Sequence, residues 1–136
     1  AKAPVFLRKA ERPVLWRFGK LYINENESNI TDIMQQFASS LKKLLGNTLD
    51  SVIVYGSYAR GNYSELSDID VMILVTLTEE KIKKISDEIS DMAFDYLMKF
   101  GVDISPVITN IDHFNYWADN LPYYRNVRDE GVILSA

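Results

Sequence analysis

Three aspartates and one Gly-Ser pair are the residues of this 136-residue chain whose types and spacing could do chemistry. Gly56-Ser57 ends the apolar run SVIVY, Asp68 and Asp70 lead into VMILV, and Asp103 opens DISPVI. Ionised carboxylates beside an apolar run are costly unless something cationic pairs with them. Side chains two apart on a strand emerge on one face, so Asp68 and Asp70 repel each other unless a divalent cation lies between them. Magnesium suits such a pair, because it prefers oxygen ligands and takes one or two carboxylates together with substrate phosphate oxygens. Asp103, starting a later strand, can face the same surface and serve as general base and further ligand. Gly56 lets a backbone come close to a ligand, and a helix starting at Ser57 would aim free amides and a hydroxyl at an anion such as a phosphate.

Taken singly, each feature has a plainer reading. A Gly-Ser pair is usually an ordinary turn. A D-x-D pair is often a capped turn or a solvated strand end, and it also occurs in metal-dependent glycosyltransferases. Asp103 alone could be a strand-end acid facing water. Together they are harder to dismiss: at average residue frequencies Gly-Ser with D-x-D at one fixed later offset arises on the order of once in 10⁵ starts.

The elements needed to position these groups are written in the hydrophobic pattern. Ile30, Ile33, Met34, Phe37, Ala38, Leu41, Leu44 and Leu45 follow the spacing of one buried helical face. Asn29 is expected to cap that helix and Gly46 to end it. Residues 51–56 and 69–75 read as strands without clean alternation, which fits strands covered on both faces. A second helix opens at Thr78 with Glu79 and Glu80 in its first turn. Its inner face is Ile82, Ile85, Ile89, Met92, Ala93, Tyr96 and Leu97, leaving Asp87, Asp91 and Asp95 outside, and Gly101 stops it. Residues 103–108 form a third strand, with Pro106 marking an edge or bend. Asn110 caps a short helix carrying Phe114 and Trp117, and Pro122 opens another that ends at Gly131 before a final VIL. The sequence predicts an α/β sandwich around a small sheet.

Composition narrows the function classes. Hydrophobic residues at 47% and charged residues at 25% are globular values. No apolar run approaches the ~18 residues of a membrane span. There is no cysteine and a single histidine, so thiolate sites and disulfides are excluded, a zinc site has no support, and a cytoplasmic home is expected. His113 beside Phe114 reads as a surface or partly buried residue, and no second acid-base group accompanies a serine as a hydrolase triad requires. The net charge of −4 argues against direct nucleic-acid binding. Residues 1–29 carry +3 and the rest −7, so 1–29 is expected to be an N-terminal extension and 30–136 the working domain. Within the extension VLWRFGKLYI reads as a hairpin or packing arm, with a basic-aromatic binding surface as the alternative.

At this point GSYARGNYSELSDIDVMILV resembles the signature of the DNA polymerase beta nucleotidyltransferase superfamily, and within it the minimal nucleotidyltransferases that act as antitoxins of HEPN toxins. The resemblance runs from about Ile30 to Leu134 and includes PYYRNVRDEGVIL. It implies a DNA polymerase beta-like fold, a small mixed sheet packed by helices. Carried over residue by residue, it implies that Gly56 and Ser57 hold the terminal phosphates of a nucleoside triphosphate, expected to be ATP. Asp68, Asp70 and Asp103 would be the catalytic residues and the ligands of two magnesium ions, for which manganese can substitute. Arg60 would contact phosphate or brace the loop, and Ser67 would orient the DID turn. The expected activity moves AMP onto an acceptor hydroxyl of a partner protein, a small helical HEPN-type toxin. The rival from another class is a non-catalytic antitoxin-like module that neutralises its partner by contact. A docking surface is expected on Phe114, Tyr116, Trp117, Tyr123 and Tyr124, with Trp16 and Phe18 of the arm.

Overall fold

The computed structural model of the chain describes residues 25–60 and 68–134. Helix α1 spans Glu25–Leu45 and is followed by a 3-10 turn at Gly46–Thr48. Strand β1 spans Leu49–Tyr55, the single helical turn α2 spans Ser57–Arg60, and β2 spans Ile69–Val75. Helix α3 (Glu79–Phe100), strand β3 (Ile104–Asn110), helices α4 (Ile111–Ala118) and α5 (Pro122–Glu130), and strand β4 (Val132–Leu134) complete the order. Among the described residues no helix is long and apolar enough to cross a membrane. The hairpin expected at residues 14–23 lies outside the described residues.

Local chemistry sets most boundaries. Thr78 caps α3 by accepting from the Lys81 amide, and Gly101 ends it in the left-handed conformation at φ 69°. The Asn110 side chain accepts from the amides of Asp112 and His113 and so starts α4. Pro122 opens α5, where its missing N–H costs nothing. One start differs from expectation: α1 begins by Glu25, so Asn29 lies inside the helix and is not its cap. The polar turn ENESN has no apolar periodicity to betray it, but acidic residues are favoured at a helix N-terminus by the macrodipole. Both partners of β2 also differ in extent, β1 starting at Leu49 and β3 running on to Asn110, because pairing with β2 extends them.

The four strands lie in the order β3-β2-β1-β4. β1 is antiparallel to β2 and β4, while β2 and β3 are parallel and joined through α3, so the sheet is mixed. Central strands β1 and β2 are buried almost throughout, which is why their sequences do not alternate. Pro106 sits on edge strand β3, as its missing donor requires. Alternate residues divide between two faces. Val52, Val54, Val71, Ile73 and Val75 pack beneath α1 and α3, with Phe37 and Leu41 fully enclosed. Ile53, Met72 and Leu74 pack beneath α4 and α5 through Phe114, Ala118 and Val127. Phe114 is therefore a core residue with no exposure, which removes it from the expected docking surface. Tyr116 and Tyr123 of that set are exposed.

Candidate active site

The second face is where the aspartates emerge. Asp70 lies opposite Tyr55 on β1 and beside Ser105 on β3. It belongs to the same alternating set as Met72 and Leu74, one step beyond the edge of their apolar cluster. Asp68 precedes β2 and Asp103 precedes β3, and the Ile69 amide donates to the Asp103 carbonyl at 2.8 Å, which holds the two strand entrances together. Ser105 Oγ donates to Asp68 Oδ2 at 3.2 Å. The parallel pairing of β2 and β3 thus brings together three acids that the sequence separates by a whole helix.

Electrostatics follow from that crowding. The Asp103 carboxyl titrates above the usual carboxylate range, first because it shares a hydrogen bond with Asp68, then through burial and the Asp68 charge. Proximity to Asp68 favours a proton on Asp103, and a cation is the other way to relieve the repulsion. Carboxylate oxygens are the donor chemistry that magnesium prefers, so the set fits that ion in kind. Among the described residues no three histidine, cysteine, aspartate or glutamate side chains close tightly around one point. The acids lie at one end of the sheet without forming a closed cage.

Gly56 is required twice over. Its φ of 77° lies in the left-handed region that other residues avoid, and a Cβ there would overlap Asp70 Oδ2. The turn between β1 and α2 and the carboxylate of β2 therefore fit only around a glycine. Backbone of Ser57 opens α2 directly after it. The side-chain roles expected of Ser57 and Arg60, and everything expected of Ser67, lie outside the described residues.

Tyr55, which sequence reasoning passed over, and Tyr123, which it expected only as a docking residue, complete this end of the sheet. Tyr55 Oη and Tyr123 Oη are 2.6 Å apart, with the rings edge-to-face at 5.8 Å. Burial foremost pushes the Tyr55 hydroxyl far above its ordinary value, with its bond to Tyr123 and the Asp70 charge adding to the effect. Tyr123 is also raised, chiefly by burial, although its bond to Tyr55 works the other way. Tyr55 directly precedes Gly56, which was the available signal; nothing local pointed to Tyr123. His113 keeps to its own cluster, with its ring against Trp117 and Tyr124.

Comparison with known proteins bears on this geometry. The model of the nucleotidyltransferase domain family matches residues 34–116, which run from α1 through all three aspartates into α4. Two proteins of Methanocaldococcus jannaschii, each named "putative protein adenylyltransferase", are similar in sequence. One is 42% identical over 79 residues, covering 58% of this chain and 78% of the relative. The other is 33% identical over 101 residues, covering 74% of this chain and 93% of the relative. A solved toxin-antitoxin structure with AMP-PNP aligns with a TM-score of 0.46 at 18% identity, over 75% of this chain and 73% of that one. That likeness is too distant to carry an argument about activity.

Proposed function

The chain belongs to the nucleotidyltransferase domain family, and from that premise we propose that it transfers AMP from ATP to a hydroxyl of a partner protein. The observation that carries this reading is the gathering of Asp68, Asp70 and Asp103 at the open end of one sheet face, beside the Gly56 turn. The names of the two archaeal relatives support a protein as acceptor and adenylyl as the group moved.

In this reading Asp68, Asp70 and Asp103 would hold magnesium, which when bound neutralises phosphate charge and polarises the phosphorus. The turn at Gly56 and the amides that open α2 receive the β- and γ-phosphates. Asp103 accepts the proton of the acceptor hydroxyl as its oxygen bonds to the α-phosphorus. The bond from that phosphorus to the bridging oxygen breaks, and pyrophosphate leaves with the electron pair. Ser105 keeps Asp68 oriented, and β2 and β3 keep the acids in register, so the protein's share is positioning.

The partner we assign is a small helical protein of HEPN type, on the resemblance of the GSYARG and SDID motifs to minimal nucleotidyltransferases. Exposed Tyr116 and Tyr123 offer it aromatic surface, Tyr123 beside the Tyr55 that faces Asp70. The test is to incubate the protein with magnesium and ATP labelled at the α-phosphate in a lysate of its native source. Label should appear on one small protein, on a tyrosine. Label confined to free nucleotides or other small molecules would overturn the protein acceptor and leave only a generic transferase.

A further inference from the structure

The acids at this end of the sheet are suited to a cation, but a nucleoside triphosphate also needs hydrogen-bond donors for its phosphate oxygens. Ser105 Oγ already donates to Asp68. Two further described hydroxyls on this face at the site end are those of Tyr55 and Tyr123. Tyr55 stands across from Asp70 on the neighbouring strand and immediately before Gly56, so its side chain flanks the turn that would receive phosphate. Tyr123, in the first turn of α5, reaches the same point from the other side of the face and remains 45% exposed.

A count of protons shows what the pair has to offer. Two phenols carry two protons, and the bond between them uses one. The second O–H is available to an acceptor. We infer that the Tyr55–Tyr123 hydroxyl pair is part of the substrate site, donating a hydrogen bond to the polyphosphate of the bound nucleotide. The inference rests on the nucleotidyltransferase reading above and adds to it a contact from the far C-terminal helix. Because Tyr123 is held at 2.6 Å by Tyr55, the donor is fixed in place before the substrate arrives, so little entropy is lost on binding. The same bond ties α5 to the strand end that carries Gly56, so loading the site would also steady that helix.

The experiment is calorimetric titration of the full chain with two probes, ATP and inorganic tripolyphosphate, each with magnesium. The variants are Tyr123→Phe, Tyr55→Phe and the double change, which remove only oxygen atoms and keep both rings. A hydrogen bond to a charged group is worth enough that its loss should weaken binding by about tenfold or more. The double variant should lose that factor for ATP and for tripolyphosphate alike, with a melting temperature close to that of wild type. Equal affinity of the double variant and wild type for both probes overturns the inference alone. Loss for ATP with none for tripolyphosphate also overturns it, since the contact would then be to the nucleoside. A wild-type chain that binds neither probe overturns this inference and the proposed function together.

Discussion

The two faces of the sheet are built from alternate residues of the same strands, yet they end differently. Beneath α1 and α3 the face is apolar from one end to the other, with Ile69, Val71, Ile73 and Val75 of β2 all buried. Beneath α4 and α5 it is apolar only through Met72 and Leu74, and it then turns polar at Asp70, Tyr55, Ser105 and the two acids at the strand entrances. One step along a strand thus separates a side chain that stabilises the fold from one placed to do chemistry. The sealed face supplies the stability that allows the other to gather like charges, which by themselves oppose folding.

Breaking the sealed face should have the largest effect. Phe37 has no exposure and lies edge-to-face against Tyr96 at 5.3 Å. Phe37→Ala should cost about 3–5 kcal/mol of stability, read from urea unfolding. Nucleotide affinity of the fraction still folded should be unchanged. A weakened affinity there would mean that the two faces are not independent.

Next in size comes Asp103→Asn on the open face. Asp68 and Asp70 stay in place to hold the nucleotide, while the proton acceptor is gone. Transfer should fall about 10²-fold or more with nearly normal nucleotide binding, in single-turnover assays beside direct titration. Undiminished transfer would make Asp103 an ordinary strand-end acid.

Gly56→Ala joins the two halves of the comparison, because it strains the backbone and collides with Asp70. The left-handed conformation alone should cost about 1–2 kcal/mol, and displacement of Asp70 should weaken nucleotide binding in addition. A variant that is less stable but binds normally would show that Asp70 swings aside without consequence.

The smallest effect expected is on pH. Asp103 titrates above its ordinary range through its bond with Asp68, so the folded state binds that proton more tightly than the unfolded chain does. Without metal, this contribution is fully present below the ordinary carboxylate range and is lost as pH rises through the raised value. Thermal melts in chelator should show that decline, and Asp103→Asn should flatten it. A wild-type profile identical to that of the variant would mean that the two acids do not share a proton.

How far the sequence discloses this arrangement depends on the range of the forces involved. Thr78, Gly101, Asn110 and Pro122 mark their helix ends correctly because capping is decided within a few residues. The buried strands β1 and β2 are equally legible as unbroken apolar runs. The ends of β1 and β3 are not, since Leu49 pairs with Val75 and Asn110 joins the ladder through the same residue. Likewise VIL becomes a strand only by pairing with Val52 to Val54. At the site, Asp68 and Asp70 could be placed on one face from their spacing alone. Their meeting with Asp103 depended on parallel pairing, which the helix between the strands made a fair expectation. The partnership of Tyr55 with Tyr123 spans 68 residues and the three helices α2 to α4, and no local pattern announces it.

The most direct test of the central claim is titration of wild type and the Asp68→Asn/Asp70→Asn double variant with ATP in the presence and absence of magnesium. The account predicts magnesium-dependent binding in wild type, its loss in the variant, and a metal-free melting temperature in the variant equal to or above that of wild type, since two repelling charges are gone. Equal magnesium-dependent binding by the two proteins would contradict it and place the nucleotide elsewhere on the molecule.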